Sequence, residues 1–449
     1  MIRVHNCFDS HVHWLATGRF ADFYNLKSIA ENFSLDERPI EKQNFQGEWL
    51  VGFGWDQNLW SKSMLPHRKQ IDKQLEDIPA FFSRVDGHAA LLNTRGLKVC
   101  GLLDQQGNSR LDQQPWIQWK NQIHLDSDGN LSGVVFESAK EYIQTLFAKP
   151  QEQQIQRWLR RGQEIFLKKG FTHIRDMSGD QYQWEQILKM DQMGNLLLRC
   201  YGHINVTGTL DAPSAIDLIQ HIEIEYPTLL PLAIKVYYDG ALGSEGALLS
   251  QPYVGKNHNG FRLIDPIELQ ELLQLAWRNR VSVSVHGIGD EACDQIANAA
   301  LNANRHEPCW GLSIEHAQLI RPETVSKLEQ LRAVVYMQPC HYLSDRKWLA
   351  EKVGELKSTV FSWQQLEQQG VPFYFGSDSP VEPPDLFANQ MAVQAVQQDF
   401  KERQLQHPWY YYQQALDDFS DDTYSEFSDQ GELLSVTIQN ERLDLNSIV

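Results

Sequence analysis

From about residue 150 onward, amphipathic stretches alternate with short β-rich runs, the pattern of repeated βα units around a parallel sheet. The predicted helices run over Glu152 to Lys169, Gln181 to Met193, Ser214 to Tyr226, Pro266 to Arg280, Glu291 to Arg305, Pro322 to Leu331 and Ser362 to Gln369. Between them lie FTHIRDM (171–177), LLLRCYGHIN (196–205), LAIKVYYDG (232–240), VSVSVHGIGD (281–290), LSIEHAQLI (312–320), AVVYMQP (333–339) and VPFYFGSD (371–378). The N-terminal run VHNCFDSHVH (4–13) makes an eighth strand, the number at which parallel strands with outer helices close into a barrel. An open dinucleotide-binding sheet is the competing architecture, but no GxGxxG follows the first strand. The expected fold class is α/β, a (β/α)8 TIM barrel formed by residues 1–14 and 150–400.

Residues 15–149 are far too many for an ordinary connection and contain their own strand candidates, EWLVGFGWD (48–56) and AFFSRVDGHAALL (80–92). A folded insertion is expected there. It would lie over the active-site face, because loops leaving the C-terminal ends of barrel strands build that face. After about residue 400 the chain is polar and acidic and ends in one strand candidate, LLSVTIQNERL, so 401–449 is expected to be a C-terminal tail.

The sharpest local signal is Asp-Ser-His-Val-His at 9–13. Alternate residues of a strand point the same way, so the imidazoles of His11 and His13 can reach one metal ion. Alone, such a pair is more often two hydrogen-bonded histidines at a strand end. Three further residues change that weighting: His286, His316 and Asp378 each close a different predicted strand and should open on one face. His286 and His316 are 30 positions apart, about one βα unit, and His316 and Asp378 are 62 apart, about two, with AVVYMQP carrying no site residue between them. Lys235 lies on the fourth strand. Beside metal cations an ammonium is repelled, so it would bind as a neutral amine or as a carbamate able to bridge two ions. The centre would then hold one or two divalent ions, zinc being the first expected. Such an ion lowers the pKa of water, and Asp378 is placed to carry the proton, as catalytic base and then acid.

Composition narrows the partners. With 58 acidic against 40 basic side chains the formal net charge is −18, which opposes nucleic acid and anionic membranes. The six cysteines form no CxxC pair, so neither a disulfide framework nor a thiolate zinc site is expected. No basic segment followed by an apolar run opens the chain, and no stretch approaches about 18 uncharged apolar residues. A cytoplasmic protein acting on a small molecule is the expectation.

The ordered motifs FDSHVHW, GFGWDQNLW with a following PHR, SRVDGHAALLN, KVYYDGALGS, VHGIGDEA, IEHAQLI and FGSDSPVEPP resemble the amidohydrolase superfamily. The branch they resemble includes the N-substituted formamide deformylases. The resemblance implies a metal-dependent hydrolase acting on a non-peptide C–N bond, with His11, His13, Lys235, His286, His316 and Asp378 around the metal and Lys235 carboxylated. It also implies that Asp86 and His88 reach the substrate from the insertion and that Trp55 lines the pocket. The alternative readings of those three are a turn with its cap and a core aromatic.

Two departures stand out. Members of this branch carry a small β-sandwich built from both sides of the barrel. Here the first barrel strand begins almost at Met1, so a reduced or absent sandwich is expected, with 401–449 at most its remnant and a homodimer covering the exposed flank. Glu245 stands where a basic residue is expected, which favours a different substrate charge. Outside hydrolysis, a non-catalytic binding or regulatory barrel and a metal-dependent isomerase or lyase remain as alternatives.

Overall fold

The computed structural model describes residues 1–446 apart from 36–38, 63, 76, 86, 88, 226–231, 406–410 and 414–421. It separates into two compact units, Met1–Thr17 with Leu159–Val449, and Gly18–Trp158.

The first unit holds an eight-stranded sheet of Phe8–Val12, His173–Gly179, Arg199–Asn205, Ala233–Tyr237, Ser282–Gly287, Leu312–His316, Val334–Met337 and Phe373–Phe375, in that order. Every neighbouring pair is parallel. Parallel strands need crossovers, and helices such as Pro266–Arg278, Asp290–Asn304 and Pro322–Gln330 supply them. Local chemistry starts these helices where the strands stop. Asp265 accepts the Ile267 N–H and Pro266 follows it in the first turn, while Asp180 caps Gln181–Gln192 through the Gln183 N–H.

Main-chain bonds join the last strand to the first. Asp378 N–H donates to the His11 carbonyl at 2.7 Å, His13 N–H donates to Ser379 at 2.8 Å, and a parallel bridge links Val12 with Ser379. A Cβ on Gly376 would lie 2.6 Å from the His11 nitrogen, so this seam requires a residue without a side chain. The architecture is a (β/α)8 TIM barrel.

The N-terminal run is not one strand. Asn6, at φ 44°, breaks it into Ile2–His5 and Phe8–Val12. Ile2–His5 pairs antiparallel with Tyr424–Phe427, which continues into Leu433–Ile438 and Glu441–Arg442 as a separate four-stranded sheet. Residues ahead of the first barrel strand therefore join the C-terminal strands in a second, small sheet. Val4, Phe427 and Val436 are its buried apolar positions.

The second unit is a mixed sheet through Tyr24–Asn25, Trp49–Trp55, Ala80–Arg84, Ala89–Leu92, Leu131–Phe136 and Ile123–Leu125, with Phe45–Gln46 paired to Trp49–Trp55. Strand alternation gives it a core on each face. Val51, Phe81 and Leu92 go to one cluster, and Leu50, Phe82 and Leu91 to the other. Among the described residues no helix is long and apolar enough to cross a membrane.

Candidate metal centre

The first barrel strand is buried throughout, and its alternation brings His11 and His13 to one side with ring centroids 5.7 Å apart. The seam then carries Asp378 to them. Its Oδ1 lies 3.0 Å from His13 Nε2 and 3.5 Å from His11 Nε2. His316 ends the sixth strand with its ring 4.7 Å from that of His11 and 4.5 Å from that of His286. Lys235 and Tyr237 share a face of the fourth strand, with Lys235 Nζ 5.0 Å from the Tyr237 ring centre and that ring 5.3 Å from His286. The structure gathers the six residues that strand position predicted, five at or beside the C-terminal ends of their strands and Lys235 at the middle of the fourth. His11, His316 and Asp378 come tightest, each presenting a ligand atom within 4.8 Å of the others.

Asp378 and His316 hold left-handed backbone at φ 59° and 76°, a conformation costly for residues with a Cβ. Their side chains are two of the three tightest members of the group. Such strain persists where the surrounding structure overdetermines it, here the seam at Asp378 and the sixth strand's end at His316.

The donor set suits a divalent cation. Burial pushes the His11 imidazole down to about 4, against the pull of Asp378 and Glu315, and takes His286 to about 3 with Lys235 beside it. Burial and His286 likewise hold His316 well below the ordinary histidine range. These rings are neutral near pH 7, the state in which imidazole is a ligand. Asp378 is the reverse case: burial opposes its charge, but the histidines around it, with His13 hydrogen-bonded to it, hold its carboxyl well below the usual carboxylate range. The His286 Nε2, His341 Nε2 and Lys235 Nζ atoms are buried with no hydrogen-bond partner among the described residues. Unpartnered polar atoms facing three neutral or anionic donors are what a site made for a cation leaves behind.

Several residues at the site escaped the sequence reading. Glu315 Oε2 lies 2.7 Å from His11 Nδ1, and Gln338 Oε1 lies 2.7 Å from His316 Nδ1, so each imidazole is held by its second nitrogen. His341, from the helix Pro339–Asp345 that follows the seventh strand, stands 3.6 Å from Asp378 Oδ2. Gln338 and His341 follow the seventh strand directly, where polar groups begin just past its apolar run. Asp239 accepts the N–H groups of Leu248, Ile288 and Gly289 and lies 3.6 Å from His286 Nε2.

The insertion residues fare differently. Trp55 is completely buried in the core of its own unit, where its indole N–H donates to the Phe82 carbonyl at 2.7 Å. Asp86 and His88 lie outside the described residues. Glu245 is neutralised locally, 3.0 Å from Lys352 and 3.4 Å from His258.

Known proteins place this arrangement. The chain is 27% identical over 398 residues to YtcJ of Bacillus subtilis (strain 168), whose name assigns it provisionally to the amidohydrolases, covering 86% of this chain and 72% of that protein. It is 22% identical to the N-substituted formamide deformylase of Arthrobacter pascens, covering 74% and 62% of the two chains. In fold it is similar to an uncharacterised metal-dependent hydrolase from Pyrococcus furiosus, with a TM-score of 0.66, 24% identity and coverage of 87% and 76%. A family model described as the amidohydrolase family matches residues 8–393, from the first barrel strand past the last, and the chain belongs to that family.

Proposed function

We propose that this amidohydrolase-family hydrolase cleaves a C–N bond in a small amide, formamide, carbamate or cyclic amide, with zinc held by His11, His316 and Asp378 and bordered by His13, His286 and Lys235. The observation that carries this reading is the cluster of three ligand atoms within 4.8 Å beside buried, unpartnered Lys235 and His286. A divalent ion there would supply Lewis acidity toward the carbonyl and a hydroxide nucleophile at neutral pH.

The chain's own groups do the rest. Asp378 is ionised and faces the histidines through Oδ1, so it can accept the proton of the attacking water. As the new C–O bond forms and the C–N bond breaks, it returns that proton to the leaving nitrogen. Burial lowers Lys235 to about 8 although Glu315 and Asp378 favour its charge, so a share of it is the free amine that carbon dioxide requires. Carbamate formation at Lys235 belongs to the same reading and would bring an anion to the unpartnered Nζ position. Six unpaired cysteines, five of them buried, suit a reducing cytoplasm.

The test is a screen of zinc-loaded protein against amides, formamides and cyclic amides, run with and without a chelator. Turnover that consumes water, stops on chelation and returns with zinc supports the reading. A product that has gained no water, or turnover indifferent to metal, overturns it.

A further inference from the structure

Beneath the candidate ligands, inside the barrel, lies a buried arginine that the hydrolytic reading does not use. Arg175 is on the second barrel strand, with its guanidinium carbon 3.5 Å from the centre of the Tyr336 ring. Its Nη2 donates to Glu315 Oε1 at 3.0 Å and its Nη1 to Glu315 Oε2 at 3.2 Å, a two-pronged grip on one carboxylate. Nη1 also donates to the Ser10 carbonyl at 2.9 Å. Nη2 further meets His203 Nε2 at 3.1 Å and Ser284 Oγ at 3.0 Å.

The two acceptors on Nη1 and the fork have a common property. Ser10 immediately precedes His11, and Glu315 immediately precedes His316. One rigid, planar cation therefore holds the residue before each of two candidate ligands. The same Glu315 carboxylate lies 2.7 Å from His11 Nδ1. With the carboxylate pinned as acceptor, Nδ1 is the nitrogen that donates, and Nε2 is the one turned toward Asp378.

We propose that Arg175 is a positioning residue for the metal centre: by gripping Glu315 and the main chain at Ser10 it fixes both the orientation and the tautomer of His11. The inference rests on the metal-site reading above and concerns how that site is kept ready. A buried ion pair adds little net stability over a well-packed apolar pair, so placement of a ligand is the stronger reason for this one. Lysine would not substitute fully, because a point charge can meet the carboxylate but not the carboxylate and Ser10 together.

The probe is Co²⁺ added to the purified full-length protein, with affinity read by chelator competition, coordination by visible absorption and folding by thermal unfolding. Arg175→Met and Glu315→Gln are each expected to weaken Co²⁺ binding about 10- to 100-fold and to alter the absorption bands. The double variant should be no weaker than the worse single one, since both changes break one relay. Arg175→Lys should fall between Arg175→Met and the parent. If Arg175→Met does not fold, Glu315→Gln and Arg175→Lys carry the comparison. Variants that unfold at lower temperature yet bind Co²⁺ with parental affinity and spectrum would overturn the proposal while leaving the metal centre standing. Failure of the parent itself to bind Co²⁺ would instead overturn the metal reading on which it rests.

Discussion

His11 and Glu315 meet across the barrel interior, Nδ1 to Oε2 at 2.7 Å, and this contact leaves the other imidazole nitrogen free to face Asp378 at 3.5 Å. Both residues are essentially inaccessible to solvent. The contact is a hydrogen bond from a neutral imidazole to a carboxylate, because burial keeps His11 from protonating near pH 7. If Nε2 is a ligand atom, His11→Ala and His316→Ala should each lower zinc affinity by at least about tenfold. Chelator competition followed by elemental analysis checks this, and parental affinity in either variant removes that residue from the centre.

Asp378 has a separable role. Asp378→Asn keeps the side-chain shape but cannot take a proton, so turnover should fall by about 10²- to 10⁴-fold. The fall should exceed any loss of bound zinc measured on the same preparation. A rate reduced only in proportion to lost metal would make Asp378 a ligand and nothing more.

The barrel seam offers a structural prediction. In Gly376→Ala the new Cβ would meet the His11 nitrogen at 2.6 Å, against backbone that cannot yield easily. Overpacking of this kind costs about 1–3 kcal/mol. Urea unfolding should register that loss, and metal affinity should drop with it because His11 and Asp378 share the seam. A variant with parental stability would show that the strands can part there without cost.

The buried histidines give the metal-free protein a pH dependence. Burial lowers His11 to about 4, His286 to about 3 and His173 to about 3, all from an ordinary value of 6.5. Below about pH 6.5 the unfolded chain binds protons at these positions and the folded chain does not, so stability falls as pH falls. The contribution is fully present above 6.5 and declines through the window down to about 3. Buried Asp9 and Asp239, raised to about 7, act in the opposite direction. The histidine contribution is therefore read by comparison with His173→Asn, whose unfolding temperature should fall less from pH 7 to pH 5 than that of the metal-free parent. Equal falls in parent and variant would mean that the ring titrates in the fold as it does in the unfolded chain.

Lys235 should respond to carbon dioxide. Its lowered value of about 8 predicts that carbamate formation rises from pH 7 to pH 9 as the free amine becomes dominant. Protein equilibrated with ¹³C-bicarbonate and zinc should show a carbamate carbon resonance that Lys235→Ala lacks. Its absence in the parent would leave Lys235 as an unmodified neighbour of the site.

Much of the barrel was legible because its strands are short apolar runs that end in polar residues, as VSVSVH and SIEH do. The histidines stood out because alternation alone brings His11 and His13 together. What escaped depends on three dimensions. Glu315 and His316 are adjacent, and regular alternation would send them to opposite sides, yet both reach His11 because the backbone turns left-handed at His316 and Ala317. Arg175 looked like one charge within FTHIRDM, and nothing local says that its partners lie on the first and sixth strands. Asn6 hid a break inside what looked like one continuous strand, since only its φ of 44° separates the second sheet from the barrel.

The most direct measurement is a crystal structure of zinc-loaded protein with anomalous data at the zinc edge. A peak about 2.0–2.2 Å from His11 Nε2, a His316 nitrogen and an Asp378 oxygen is the expected result. Zinc bound elsewhere, or an empty map at this position despite full loading, would contradict the centre on which the proposed chemistry depends.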